Sequence, residues 1–261
     1  MMGLIDRYFM KRPRVRRFLT KLIAGDREAE VALLGNNLRV HTLREHGLFR
    51  AATFAKTCSL FRDELPVLIH LAGILSDGDT FLDIGANIGI FAINIASFRF
   101  LYPNLEIYAF EPNPDTVRRL RANGEPLGIK VFDFALSDRN GTLEFVDGAV
   151  SNIFATVDNA SVYSITSERL LCQCRRLESL QLPGDSLVMK IDVEGHEWEV
   201  LQGALAYFES KRVKAAYLDD YKDPRVRDLL NSHGFTFFDG RTLQPAAETT
   251  KHLLAIRPAR K

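Results

Sequence analysis

Cysteine is scarce in this chain: Cys58, Cys172 and Cys174 are the only three in 261 residues. An odd number with one Cys-x-Cys pair fits neither a disulfide framework nor a four-ligand zinc site, and reads as reduced thiols. Long apolar runs are missing too, since none approaches the ~20 residues that span a bilayer. The N-terminus makes a poor signal sequence. Lys21 interrupts Phe18-Leu19-Thr20-Lys21-Leu22-Ile23-Ala24, and basic residues are spread throughout rather than placed in front. A cytoplasmic protein is expected. There is also little charge imbalance: 34 Lys and Arg against 33 Asp and Glu leave a net +1, so no nucleic-acid partner is expected. What the chain does have is 46% hydrophobic and 26% charged residues, enough to bury a sizeable core without disulfides or structural metal.

The distribution of charge is less even than its total. Residues 1–25 carry Arg7, Lys11, Arg12, Arg14, Arg16, Arg17 and Lys21 against Asp6 alone. Leu4, Ile5, Tyr8 and Phe9, then Phe18, Leu19, Leu22 and Ile23, recur at helical spacing on either side of Pro13, which predicts two short amphipathic helices. They can cap the main domain with their charges solvated, or dock on an anionic membrane or an acidic glycan. Gly35-Asn36-Asn37 between apolar stretches predicts a hairpin. Residues 58–75 read as a helix with Leu60, Leu65, Leu68, Ile69, Leu71 and Leu75 on its apolar face and Pro66 near a start or kink. We therefore divide the chain into an N-terminal extension, 1–75, that packs on the core, and a main domain, 76–261.

From Asp79 strands and helices alternate, the pattern of a parallel sheet covered on both faces. Strands are expected at 80–84, 106–111, 129–135, 186–191, 215–219, 236–239 and 252–257, and helices at 89–97, 114–123, 197–208 and 224–233. The stretch 138–180 breaks the rhythm and, with Gly141-Thr142-Leu143-Glu144-Phe145-Val146, reads as an inserted hairpin near the site. The class is α/β and Rossmann-like: a mostly parallel seven-stranded sheet with helices on both faces and an N-terminal helical and hairpin extension.

Two segments carry chemistry. Phe81-Leu82-Asp83-Ile84-Gly85-Ala86-Asn87-Ile88-Gly89 runs from an apolar strand into a helix, where an open α/β sheet collects ligands. Gly85 lets the backbone turn and approach a ligand, and Gly89 lets the next helix pack close. Alone, Gly-x-x-x-Gly is weak; it is neither the Gly-x-Gly-x-x-Gly dinucleotide fingerprint nor a P-loop. Glu111, in Ile107-Tyr108-Ala109-Phe110-Glu111-Pro112, strengthens it, because a carboxylate ending the neighbouring strand can accept both ribose hydroxyls of a nucleoside. The bland account makes Glu111 a helix cap.

The second segment is Leu187-Val188-Met189-Lys190-Ile191-Asp192-Val193-Glu194-Gly195-His196-Glu197-Trp198. Lys190 and Asp192 share a strand face, while Glu194 and His196 fall in the turn. Strand-end charges are expensive to desolvate and tend to be paired or functional. His196 is a candidate general base, oriented by Asp192 or Glu194. A divalent metal on Asp192, Glu194 and His196 and a salt-bridged helix cap at Glu197 stay open, although the spacing is loose for a metal site.

Here a resemblance enters. The 83–89 loop and Glu111-Pro112 resemble the cofactor motifs of class I methyltransferases. Lys190-Ile191-Asp192-Val193-Glu194-Gly195-His196-Glu197, followed by Val200-Leu201-Gln202-Gly203-Ala204, is similar to the signature of FkbM-type methyltransferases. The upstream Arg175-Arg176-Leu177-Glu178-Ser179-Leu180 also fits, with Glu178 where that family more often has Asp. The likeness spans roughly residues 79–257. It implies an S-adenosylmethionine-dependent O-methyltransferase acting on a sugar or secondary-metabolite hydroxyl. Asp83 and the backbone of Gly85, Ala86 and Asn87 would hold the amino-acid end of S-adenosylmethionine, with Gly89 completing the loop. Glu111 would hold the ribose and Asp138 the adenine, with Asp192 serving both the donor and the transfer chemistry of Lys190, Glu194 and His196. Asn152, Phe154 and Tyr163 are candidates for the wall of the acceptor pocket. Two other readings are a nicotinamide-dependent oxidoreductase and a non-catalytic carbohydrate- or membrane-surface module. Nothing in the chain names the acceptor or an oligomeric state.

Overall fold

A computed structural model describes residues 13–53, 60–148, 154–156 and 165–258. The first predicted N-terminal helix, Cys58, Asn152 and Tyr163 lie outside the described residues.

Among these, seven strands form one sheet: β3 (Thr80–Ile84), β4 (Glu106–Phe110), β5 (Lys130–Phe132), β10 (Leu187–Ile191), β11 (Val213–Asp219), β12 (Thr236–Asp239) and β13 (His252–Ile256). Their order is β12-β13-β11-β10-β3-β4-β5. Only β13 runs antiparallel to its neighbours; the pairs from β11 through β5 are parallel. β3 and β10 are buried at every position, as near-continuous apolar runs are when helices cover both faces. Side-chain parity divides the core into two clusters: Phe81, Ile107 and Val188 face one side, Leu82, Tyr108 and Met189 the other.

The order reverses between β3 and β10, and the site opens at their carboxyl ends. On the Phe81 side lie α4 (Ile90–Ala96) and α5 (Pro114–Gly124); α6 (Glu197–Gln202), α7 (Leu205–Glu209) and α8 (Arg225–Ser232) cover the other. The N-terminal elements are α1 (Pro13–Ala24), the hairpin β1 (Glu28–Leu33) and β2 (Asn36–His41), α2 (His46–Thr53), a π-turn (Leu60–Glu64) and α3 (Leu65–Ile74). Val31, Leu38, Val40, Phe49 and Val67 join the same cluster as Phe81 and Val117. A buried ion pair links the hairpin region to α5: Arg119 Nη2 is 2.8 Å from Glu45 Oε1.

Several expectations are revised. Residues 129–135 do not make one strand: β5 belongs to the main sheet, while β6 (Ala135–Leu136) leaves it for a smaller one. That four-stranded sheet, β6-β9-β7-β8, replaces the simple hairpin expected in 138–180. Its other strands are β7 (Gly141–Gly148), β8 (Phe154–Thr156, which contains Phe154) and β9 (Ile165–Arg175). The predicted 197–208 helix breaks between α6 and α7, where Gly203 packs against backbone so closely that a Cβ would lie 1.9 Å from the Ser137 carbonyl oxygen. Within the helix expected over 58–75, residues 60–64 are π-helical, and Ile69 of α3 points to solvent instead of joining an apolar face. Pro13 opens α1, a position where its missing N–H costs nothing.

Candidate active site

The loop after β3 turns on three left-handed residues, Gly85 (φ 71°), Asn87 (φ 53°) and Gly89 (φ 92°). Gly85 and Ala86 N–H both donate to the Phe110 carbonyl, at 3.0 and 2.9 Å, which fastens the loop to the end of β4. A Cβ on Gly85 would sit 1.8 Å from the Asp192 carbonyl oxygen, so two strand-end backbones meet where only glycine fits. Gly89 does not reach the cavity; a Cβ there would meet Leu120 Cδ1 at 2.7 Å, which makes it the helix-packing glycine of the loop.

Beneath the loop lies a buried charge set. Lys190 Nζ donates to the Gly85 carbonyl at 2.8 Å and stands 3.3 Å from Asp83 Oδ1 and 3.5 Å from Asp192 Oδ2. Burial works against the ammonium, but Asp83 and Asp192 more than offset it and hold Lys190 well above the usual lysine range. Asp83 Oδ2 accepts from Ala92 N–H at 3.0 Å. Asp83 is fully buried and lines neither of the two cavities described below; it holds α4 and Lys190.

Glu111 follows β4 directly and lines the first cavity. Its Oε2 accepts from Asn87 N–H and its Oε1 from Asn113 N–H, both at 2.9 Å. Burial pushes the carboxyl up to about 7, against the pull of those two N–H groups. The helix-cap account of Glu111 gives way to another residue: Asn113 Oδ1 accepts from Asp115 and Thr116 N–H at 3.0 and 3.3 Å and caps α5. The cavity lined by Glu111 also has apolar lining, Phe110, Leu136 and Phe145, beside Asn87, Asp192 and His196. Phe145 arrives from the inserted sheet; nothing in its local pattern separates it from an ordinary core position.

The turn after β10 is strained at Glu194 (φ 52°) and eased at Gly195 (φ 97°). Glu194 and Val193 line the first cavity with His196. Sequence reasoning gave the orientation of His196 to Asp192 or Glu194; the ring instead sets Nε2 3.0 Å from Ser137 Oγ and Nδ1 3.4 Å from Glu199 Oε2. Glu197 Oε1 accepts from Gly195 N–H at 3.0 Å, and burial pushes its carboxyl up to about 7. Asp138, expected near the adenine, lies outside the lining of the first cavity, with Oδ1 accepting from Ser137 Oγ at 3.0 Å and standing 3.5 Å from Arg139 Nη1. Among the described residues no group of three His, Cys, Asp or Glu is arranged to hold a metal ion.

A second cavity opens on the far side of Gly85, Asn87 and Asp192, which line both. Its remaining wall includes Leu48, Glu64, Phe91, Lys190, Tyr217 and Asp219. Asp219 ends a predicted strand, so the rule that found Glu111 applies to it equally; Glu64 carries no such signal.

Residues 83–237 match the Methyltransferase FkbM domain. The chain belongs to the FkbM methyltransferase family. The hexuronic acid methyltransferase AglP of Haloferax volcanii is 29% identical over 177 residues, covering 65% of this chain and 69% of its own length. The 2-O-methyltransferase NoeI of Sinorhizobium fredii is 34% identical over 98 residues, 37% of this chain and 39% of its own. A precorrin-6y C5,15-methyltransferase structure from Geobacter metallireducens aligns with a TM-score of 0.41 at 15% identity, over 75% of this chain and 88% of its own. Membership of that family makes the enzyme a methyltransferase, its sheet order gives it an α/β Rossmann-like fold, and the oxidoreductase and non-catalytic readings are not favoured. Of its predicted site residues, Gly85, Asn87, Glu111, Asp192, Glu194 and His196 converge on the first cavity, Ala86 and Lys190 on the second.

Proposed function

We propose that this enzyme transfers a methyl group from S-adenosylmethionine to a hydroxyl of a sugar or glycan. The observation that carries the donor assignment is the first cavity: a strand-end carboxylate, Glu111, shares it with apolar side chains and with Gly85 and Asn87 of the glycine loop. The residues present suit that donor. Each Glu111 oxygen accepts one backbone N–H and keeps lone-pair capacity for a ribose hydroxyl. Leu136 and Phe145 offer apolar surface to an adenine, and Asp192, beside Gly85 and Asn87, would hold the amino-acid end. When bound, S-adenosylmethionine supplies an electrophilic methyl on a sulfonium. The chain's part is to position the acceptor oxygen and take its proton. Lys190 positions the loop through the Gly85 carbonyl. His196 sets the turn after β10 against Ser137, and Glu194 presents that turn to the cavity. The names of the two relatives, one for hexuronic acid and one for 2-O-methyl transfer, support a sugar hydroxyl as acceptor.

Replacing Glu111 by Gln is expected to weaken S-adenosylhomocysteine binding about 10- to 100-fold in calorimetry, the scale of hydrogen bonds to a charged group. Because Glu111 is raised from 4.5 to about 7 on folding, the stability of the ligand-free wild type falls as pH rises across that interval and levels off above it. Gln should remove that pH dependence, at the cost of one of the two backbone N–H bonds that Glu111 accepts, since an amide nitrogen accepts none. Unchanged affinity in a folded variant would remove the donor assignment.

We infer in addition that α1 rests on an anionic membrane surface. Among the described residues no helix is long and apolar enough to cross a membrane. However, Phe18, Leu22 and Ile23 of α1 are 66%, 73% and 71% exposed, in a segment rich in Arg and Lys. Each basic residue near such a surface contributes about 1 kcal/mol. Vesicles containing phosphatidylglycerol should float the intact chain, while purely zwitterionic vesicles should not. Serine at all three apolar positions should abolish flotation without lowering Tm; persistence of flotation, or binding to a soluble acidic polysaccharide alone, would overturn the inference.

A further inference from the structure

The second cavity is built from parts of the chain far apart in sequence: Glu64 from the π-turn, Lys190 and Asp192 at the end of β10, Tyr217 and Asp219 on β11. Asp192 and Asp219 follow directly on Ile191 and Leu218, which are partners in the sheet, so the two carboxylates stand on adjacent strand ends. Three carboxylates thus line a space with one ammonium, and that ammonium already stands 3.3 Å from the buried Asp83. Asp219 is held from behind. Its Oδ1 lies 2.7 Å from His252 Nδ1 and accepts from the Tyr217 hydroxyl at 3.2 Å. Burial, reinforced by Asp192, raises both Glu64, to about 7, and Asp219.

Ionised carboxylates only accept hydrogen bonds, so this wall suits a ligand that presents hydroxyl donors. A ligand carboxylate would meet the charge of Asp192 beside two further carboxyls that already crowd it, and the one ammonium there is taken by Asp83 and Asp192, an arrangement that rejects partners. The wall also lies against the donor cavity, because Gly85, Asn87 and Asp192 line both spaces. His196 lines only the donor cavity and directs its ring nitrogens at Ser137 and Glu199.

We propose that the second cavity holds the acceptor, that Glu64, Asp192 and Asp219 select an uncharged polyol ring and reject a uronate, and that Asp219 takes the proton of the hydroxyl being methylated. This rests on the O-methyl transfer reading and narrows its substrate class. In the step, the acceptor oxygen bonds to the methyl carbon and the carbon–sulfur bond breaks with its electron pair going to sulfur. The hydroxyl proton passes to the Asp219 carboxylate. His252 and Tyr217 fix the geometry of that carboxylate.

The test uses the full chain with S-adenosylhomocysteine and a chelator, and reads saturation-transfer NMR with methyl glucoside, galactoside and mannoside beside the matching methyl uronosides. At least one neutral glycoside should bind, and its uronoside should bind at least about 100-fold more weakly. Asp219→Asn should leave S-adenosylhomocysteine affinity in calorimetry and binding of that glycoside within about threefold, while discrimination against the uronoside shrinks. Methyl transfer from S-adenosylmethionine to the glycoside should fall about 100-fold or more, the usual loss of a general base. A uronoside that binds as well as its neutral partner, no binding of any neutral glycoside, or undiminished transfer by Asp219→Asn each overturns the proposal. Failure of the wild-type chain to bind S-adenosylhomocysteine would instead overturn the donor reading beneath it.

Discussion

Gly85→Ala is expected to cost more than about 4 kcal/mol of folding stability and to remove measurable S-adenosylhomocysteine binding. Two effects combine at this residue. Its φ of 71° is a conformation that side chains rarely adopt, and the new Cβ would stand 1.8 Å from the Asp192 carbonyl oxygen. That obstacle is backbone, anchored in the sheet by the Asp192 N–H bond to Ile84 at 3.0 Å, and it cannot swing aside. Gly78→Ala separates the terms: φ is 81°, yet nothing lies within 4 Å of the added carbon, so only the conformational penalty of about 1 kcal/mol remains. Gly89→Ala should fall between them, because the atom it meets is the end of the flexible Leu120 side chain. Urea melts of the three variants at one pH check the ranking. A Gly85 variant no worse than the Gly78 variant would mean that the two strand ends do not approach as described.

Glu45→Ala is expected to destabilise the fold by about 3–5 kcal/mol, because it leaves a buried guanidinium without its carboxylate. Arg119 is 1% exposed, and its main partner is Glu45 at 2.8 Å; Glu28 stands farther off, at 3.7 Å. The same substitution also deprives His41 N–H of its acceptor, which lies 2.5 Å away on Glu45. The double variant Glu45→Leu, Arg119→Met should recover much of the loss, since apolar side chains of similar volume often replace a buried ion pair without penalty. Urea denaturation of both single variants and the double one forms the cycle; additive losses would mean that the pair is not coupled. Because Glu45 precedes α2 and Arg119 lies on α5, the pair locks the N-terminal elements to the helix that starts beside Glu111.

The donor side of the enzyme was legible because its parts are local. Strand β3, the 85–89 loop and α4 are consecutive, and the acid at the end of β4 follows from the neighbouring strand by the geometry of any parallel pair. The sequence pattern located β3 and β12 to the residue; β3 is buried at every position, whereas β12 is a partly exposed edge strand. The inserted region was harder. Residues 129–135 look like one strand, and only the departure of β6 into a second sheet shows that Phe145 and Leu136 wall the first cavity.

The Lys190 to Glu197 segment shows where local reasoning stops. Its composition marked it as functional, but it could not say which charge faces what. Lys190 and Asp83 read as catalytic and ligand-binding residues; packing pairs them under the loop, with Asp83 lining neither cavity and Lys190 lining the second, because an ammonium and a carboxylate removed from water are each other's best solvation. His196 read as a base oriented by an acid two or four residues away, whereas the fold places Ser137 and Glu199 at its nitrogens. Sequence alone therefore determined the fold class, the glycine loop and its strand-end acid, which depend on short-range backbone geometry, and, by resemblance of its motifs, the family. The tertiary structure alone decided the carboxylate wall of Glu64, Asp192 and Asp219, because a cavity is what remains after distant elements have packed, and no periodicity along the chain encodes that remainder.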